Sequence, residues 1–187
     1  MHFSDILFNL INGISGHLEL LDKAMIIISK TGPYILMLAA IATYIVGVLK
    51  KNKELRGIVV DTVIKSALGI GLSQVISSVM PLPRPFINNP KTNLLYSHKG
   101  GGSFPSDHSL GCMSIALGLE KYKTSINKIY ITIAFLVGFS RVYVGHHYPL
   151  DVIGGFFIAS IVGKSYDRYL KGHIRKIYYK SEKILIN

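Results

Sequence analysis

The apolar positions of this chain fall into runs with helical spacing. Phe3, Ile6, Leu7, Leu10, Ile11 and Ile14 recur every three or four residues, which predicts a short amphipathic helix. Such a helix either lies in the plane of a membrane interface or packs against the rest of the protein. Residues 18–30 are apolar but contain Asp22 and Lys23, which makes them a weak membrane span. The run 33–49, PYILMLAAIATYIVGVL, is uncharged and carries Pro33 at its start, where proline is tolerated. A hydrocarbon core about 30 Å thick needs roughly 20 helical residues, and this run nearly suffices. The next, 57–80, is uncharged from Ser66 onward. Its Asp61 and Lys65 are spaced i,i+4 and are predicted to pair. Gly69, Ser73 and Ser77 form a row of small residues that suits close helix approach.

Three shorter runs follow, 107–119, 128–144 and 149–166. Each is interrupted at one end by an ionisable residue: His108, Arg141 or Asp151. Ionisable groups at membrane depth are costly and usually face a functional bundle interior. Gly155, Ala159 and Gly163 give the last run a ridge of small residues for packing. Neither strands nor an internal repeat is predicted. The expected fold is all-α, an integral membrane bundle of five or six transmembrane helices. It forms a single domain over residues 1–187, with 1–30 an amphipathic or first-span region and 164–187 a basic cytoplasmic tail.

Composition agrees with the pattern. Hydrophobic residues make up 49% and charged ones 17%, below the roughly 25% of an average soluble domain. The first residues lack the basic start and cleavage site of a signal peptide, so insertion is expected to use the mature segments. Cys112 is the single cysteine and forms no intrachain disulfide. A net charge of +11 fits nucleic acid, an anionic membrane surface or a phosphorylated substrate, and placement must decide. Segment 50–56 sets Lys50, Lys51, Lys53 and Arg56 against Glu54, and 120–128 sets Lys121, Lys123 and Lys128 against Glu120. With the basic tail, these loops fall on one side of the predicted bundle, which the positive-inside rule makes cytoplasmic. Loops 81–106 and 141–149 then face outward, although they carry Arg84, Lys91, Lys99 and Arg141. The tail also interleaves basic and aromatic residues, but a juxtamembrane segment on anionic lipid explains it more simply than nucleic acid does. No nucleic-acid partner is expected.

The outward loops hold the candidate chemistry in PLPRPF (81–86), HKGGGSFPSDHS (98–109) and SRVYVGHHYPLD (140–151). Histidines and aspartates could ligate a metal, but two arginines in the same pocket would repel a divalent ion. Arginine pairs instead with phosphate through charge-assisted hydrogen bonds, so an oxyanion pocket is the preferred reading. Ser106, Asp107 and His108 have the residue types of a serine triad but are too close in sequence for its geometry. The glycine run before them leads into a helix whose first N–H groups would face an anion; a loop capped by Ser103 is the alternative. Pro149 predicts a helix starting near Tyr148, which places Asp151 in reach of His147. A carboxylate on one imidazole nitrogen leaves the other free as a nucleophile, which favours His147 over His146. His98 reads as a solvated loop histidine, and Tyr143 and Tyr148 as interface anchors.

These patches resemble the type 2 phosphatidic acid phosphatase superfamily, with its Lys-x6-Arg-Pro, Pro-Ser-Gly-His and Ser-Arg-x5-His-x3-Asp motifs. The third is complete in Ser140, Arg141, His147 and Asp151. The second reads Pro105, Ser106, Asp107, His108, with aspartate in the glycine position, and the first keeps Arg84 and Pro85 but has Ser77 where the lysine belongs. Lys99 or water is the candidate replacement. The forms RPF, SFPSDH and SRVYVGxHYPLDVIGG are similar to the bacitracin-resistance branch, the bacterial undecaprenyl-diphosphate phosphatases.

The resemblance implies a metal-independent, cofactor-free lipid phosphatase at the outer membrane face that recycles the carrier lipid of wall synthesis and confers bacitracin resistance. It further implies His147 as nucleophile through a phosphohistidine, Asp151 as its partner and His108 as general acid and base. Arg84, Arg141, Ser106, Asp107 and Ser140 would bind the substrate, a polyprenyl diphosphate lipid among membrane lipids. Two alternatives stay open: a phosphatase of phosphatidylglycerol phosphate, phosphatidic acid or another lipid phosphate, and a non-catalytic membrane transporter or scaffold.

Overall fold

The computed structural model describes residues 3–119 and 124–186. Its elements are α1 (Phe3–Asn12), α2 (Glu19–Leu49), α3 (Lys53–Val79), α4 (Pro85–Asn88), α5 (Asp107–Leu119), α6 (Thr124–Tyr143), α7 (Pro149–Tyr169) and α8 (Lys171–Ile186). No strand occurs among the described residues. The basic segment 120–128 begins outside the described residues, in 120–123.

α2 corrects the sequence reading. The segments 18–30 and 33–49 form one helix of 31 residues, with Pro33 inside it rather than at its start. Proline removes one i→i−4 bond, but where no water can replace the neighbouring bonds the helix persists on those left. At about 1.5 Å per residue α2 is roughly 46 Å long, well beyond a 30 Å hydrocarbon core. Both α2 and α3 are long and apolar enough to cross a membrane.

α5 lies at the centre, touching α2, α3, α6 and α7. Leu36, Leu110, Met113, Ala116, Ala134 and Val137 are buried around it. The predicted rows of small residues make this crowding feasible. Gly69 faces Leu110 and Gly118 faces Thr62, so α3 and α5 run antiparallel. A Cβ at Gly155 would lie 2.9 Å from the Ser106 carbonyl oxygen, so only glycine lets α7 approach the start of α5 this closely. Farther along that ridge, Gly163 meets nothing within 4 Å, and the close packing stops short of it.

Polarity is distributed inside out. Ile35, Leu38, Ile41, Ile45, Val63, Val75 and Val79 are exposed, whereas Arg141, His146, His147 and Asp151 are buried. Exposed large apolar side chains in this number along α2 and α3 suit lipid better than water. α1 packs through the buried Phe8 on Val142 and Val152 and shows Ile6 and Leu10 outward, so it is a short amphipathic helix against the C-terminal end of α6 and the N-terminal end of α7. Asn12 ties it down, donating from Nδ2 to the carbonyls of Asn93 (2.9 Å) and Tyr143 (2.8 Å).

At the other end of the bundle, the predicted Asp61–Lys65 pair does not form. Asp61 accepts from the Tyr166 hydroxyl and from Arg175 Nε, each at 2.9 Å, and Lys65 reaches Asp167 at 2.9 Å. The partners come from α7 and α8, which spacing within one helix cannot reveal. The basic tail accordingly folds as α8 and docks on α3 through Arg56–Glu182 (2.5 Å) and Arg175–Glu54 (2.5 Å).

Candidate active site

One turn builds the histidine end of the site. α6 ends at Tyr143, and Gly145 takes φ +87°, a left-handed conformation that glycine adopts without strain. The chain folds back so that the N–H groups of His146 and His147 both donate to the Arg141 carbonyl, at 3.0 and 3.2 Å. Pro149 opens α7, and the Asp151 carboxylate caps it by accepting from the Tyr148 N–H at 2.8 Å. Sequence neighbours with different tasks are thereby separated in space.

His147 is buried, and both ring nitrogens have partners. Nδ1 lies 2.9 Å from the Ser103 carbonyl oxygen, which can only accept, so Nδ1 carries the proton. Nε2 keeps its lone pair and sits 3.0 Å from Arg84 Nη1. The expected His147–Asp151 pairing is looser than predicted, with Nδ1 and Oδ2 3.6 Å apart. Asp151 Oδ2 instead accepts from the Ser103 hydroxyl at 2.5 Å, so Ser103 joins the two side chains. Burial first, then the charges of Arg84 and Arg141, hold the His147 imidazole below its ordinary pKa, with Asp151 pulling the other way.

The arginines bring positive charge, with Asp151 and Asp107 in electrostatic reach of Arg84. Arg84 Nη1 also donates to the His146 carbonyl at 3.2 Å. Arg141 Nη1 donates to Ser29 Oγ (3.1 Å) and the Tyr96 hydroxyl (2.9 Å). Arg84 Nε and Arg141 Nε and Nη2 are buried with no hydrogen-bond partner. Buried cationic donors without acceptors are costly, and an oxyanion relieves that cost.

His108, near the start of α5, borders two cavities of opposite character. One, about 340 Å³, is polar, lined by Ser29, Lys30, Tyr34, Tyr96, His98, His108 and Arg141. The other, about 730 Å³, is an apolar groove between α2, α3 and α5, with Met37, Ile41, Val63, Ile70 and Ile115 in its wall. His108 is also in electrostatic reach of Arg141, His147, His98 and Arg84.

The other predicted residues have supporting positions. Ser106 is buried, its N–H donating to the Asp151 carbonyl (3.1 Å) and its Oγ accepting from Ser109 Oγ (2.9 Å). That N–H is therefore not available to an anion, contrary to the sequence reading. The Asp107 carboxylate accepts from Ser73 Oγ and from Gln74 Nε2 (2.8 Å), which pins α5 to α3. Ser140 donates back to the Val137 carbonyl at 2.7 Å. His146 Nε2 meets the Tyr96 carbonyl at 3.0 Å, and its ring stacks edge-on against Tyr96 and His98. His98 is thus packed on that ring rather than solvated. Tyr143 is buried and its hydroxyl donates to Asp22 at 2.8 Å, so it is no interface anchor.

Sequence reasoning missed Tyr96, Ser29 and Lys30, and gave Ser103 only a loop-capping role. The Ser103 contacts that matter are its carbonyl and its hydroxyl bond to Asp151, and neither has a sequence signature. Lys30 was visible as the last charge before the uncharged run. Among the described residues, no group of three or more His, Cys, Asp or Glu side chains is arranged to hold a metal ion.

The chain belongs to the PAP2 superfamily, whose family pattern matches residues 59–172, a stretch containing all three motifs. It is 32% identical over 163 residues to the undecaprenyl-diphosphatase BcrC of Bacillus subtilis (strain 168), covering 87% of this chain and 82% of that one. It is 28% identical over 158 residues to the bacitracin transport permease protein BcrC of Bacillus licheniformis, covering 83% and 76%. The crystal structure of Aquifex aeolicus LpxE superposes with a TM-score of 0.70 at 30% identity, covering 90% of this chain and 97% of that one.

Proposed function

We propose that the protein is a membrane lipid phosphatase that hydrolyses undecaprenyl diphosphate to undecaprenyl phosphate and phosphate. The observation that carries this reading is the position of His108. It stands where a pocket lined by Arg141, with two unpartnered donors, meets an apolar groove suited to a lipid chain. The kinship with the Bacillus subtilis undecaprenyl-diphosphatase supports the substrate.

In the proposed mechanism, His147 Nε2 attacks the terminal phosphorus. A P–N bond forms as the bond from phosphorus to the bridging oxygen breaks, and His108 gives that oxygen its proton. His108 then takes a proton from water, whose oxygen attacks the phosphohistidine and frees phosphate and the His147 lone pair. Arg84 and Arg141 stabilise the charge on the equatorial oxygens. Asp151 faces the imidazole that turns positive, and Ser103 fixes its tautomer. Ser106, Asp107 and Ser140 hold the elements that carry these groups. The step needs no metal or other cofactor.

We read α2, α3, α5, α6 and α7 as five antiparallel spans in a single membrane-embedded domain, with α1 at the outer interface. The basic loops and α8 then face the cytoplasm and the site faces outward, where the product would re-enter wall synthesis and lower sensitivity to bacitracin. A reporter fusion placing 81–106 in the cytoplasm would overturn this orientation.

The substrate is tested by phosphate release from undecaprenyl diphosphate, phosphatidylglycerol phosphate and phosphatidic acid in one detergent. The expected result is a higher kcat/KM for the diphosphate. Equal or faster turnover of the monoesters would instead support a general lipid phosphatase, and no turnover of any of them would favour a transporter or scaffold.

A further inference from the structure

We propose that Lys30 of α2 binds the lipid-proximal phosphate and sets the preference for a diphosphate over a phosphate monoester. The inference rests on the phosphatase reading above and concerns its second phosphate. Ser77, in the family's lysine position, lies against Gly102, where a Cβ would come within 2.2 Å of its Oγ. That position therefore packs a loop and offers no cation. Lys99, the alternative from sequence, is exposed and is not among the residues lining the polar cavity. Lys30 does line it, together with Arg141, His98 and His108.

Its surroundings mark it as part of a built pocket. Lys30 Nζ lies 4.6 Å from the centroid of the Tyr96 ring, and the same tyrosine's hydroxyl accepts from Arg141 Nη1 at 2.9 Å. One side chain thus holds two cations beside a single cavity. Two cations held this close repel one another, and an anion between them removes the repulsion. The diphosphate carries more negative charge than one arginine can offset, and Arg141 has two donors still unpartnered.

Position along α2 assigns the phosphate. Lys30 stands about one turn above Pro33, the first α2 residue of the apolar groove, with Met37, Ala40, Ile41 and Tyr44 farther down. A chain lying in that groove brings its nearest phosphate to the level of Lys30 and His108. The terminal phosphate extends beyond it, toward Arg84 and His147. Lys30 then neutralises the phosphate that departs with the lipid, while His108 protonates its oxygen. Lys30 lies nineteen residues from the inner end of α2, roughly 29 Å along the axis, which matches the far edge of the hydrocarbon. A charged amine is well placed there.

The test measures kcat/KM for wild type, Lys30→Met and Lys30→Arg on undecaprenyl diphosphate and on phosphatidylglycerol phosphate. Lys30 is exposed, so substitution does not disturb the core. Loss of a charge-assisted contact predicts that the diphosphate-to-monoester ratio falls about tenfold or more in Lys30→Met, and that Lys30→Arg restores most of it. A ratio unchanged in Lys30→Met, with wild type active, would overturn the assignment and leave the phosphatase reading standing. Wild type active on neither lipid would overturn that reading and this one together.

Discussion

Arg84 Nη1 lies 3.0 Å from His147 Nε2, so the guanidinium rests on the nitrogen lone pair that the proposed mechanism uses for attack. Nε2 is the available nitrogen because Nδ1 is engaged by the Ser103 carbonyl at 2.9 Å. In the proposed mechanism an incoming phosphoryl group replaces the imidazole as the arginine's acceptor, which frees the lone pair as the charge arrives. Arg84→Ala should therefore lower kcat by about 10²–10³, a barrier increase of roughly 2.7–4 kcal/mol. Arg84→Lys should restore only part of this, since an ammonium cannot offer a planar pair of donors. Single-turnover kinetics at saturating lipid would check both.

Ser103 joins His147 and Asp151 through two different atoms. Ser103→Ala removes the hydroxyl bond to Asp151 but keeps the carbonyl that fixes the tautomer. The expected loss in kcat is about fivefold, from a bond worth about 1 kcal/mol. Asp151→Ala should cost more, because it also removes the charge facing the imidazole and the cap on Tyr148. Parallel kcat and Tm measurements separate the two: Asp151→Ala should lose about 1 kcal/mol more stability than Ser103→Ala, because it also removes the helix cap.

The order of these effects shows where the sequence was informative. The residues of the third motif could be placed near one another from sequence because they lie in the last turn of α6, the bend after it and the first turn of α7, where spacing determines geometry. Asp61 and Lys65 were misread for the opposite reason: their partners arrive from α7 and α8, more than a hundred residues away in chain order. Pro33 was misplaced because proline suits the first helical position, where its missing N–H costs no bond, and spacing alone does not reveal that the helix already runs from Glu19. Ser103 and Tyr96 had no signal, since a backbone carbonyl and a distant hydroxyl carry their roles. The all-helical class was plain from apolar spacing alone, whereas the docking of α8 required tertiary partners.

His146 should link stability to pH. Burial, then Arg141, lower its pKa from 6.5 to about 3, with His98 and His147 acting in the same direction and the Tyr96 carbonyl opposing. Its unfolded form binds a proton near pH 6.5 and its folded form does not, so its contribution is complete above that pH. It erodes as pH falls toward about 3, where the loss is complete. Tm in detergent between pH 7.5 and 4.5 should fall more steeply for wild type than for His146→Asn. Equal slopes would contradict the assignment.

The apolar groove can be closed from α5. A Cβ at Gly111 would meet only Ile70 Cδ1, at 3.9 Å, so a larger side chain there fills groove space without forcing the backbone apart. Gly111→Leu should raise KM for undecaprenyl diphosphate about tenfold or more, by displacing several buried methylenes. It should leave KM for a short-chain diphosphate nearly unchanged. Equal effects on both lipids would place the chain elsewhere.

The central claim is that the phosphoryl group passes through His147. Undecaprenyl diphosphate labelled in its terminal phosphate, mixed with enzyme in EDTA and quenched in alkali, should leave acid-labile label on the peptide containing His146 and His147. The account predicts that His147→Ala abolishes both label and phosphate release, while His146→Ala retains the label. Label that survives His147→Ala, or activity lost to EDTA, would contradict it.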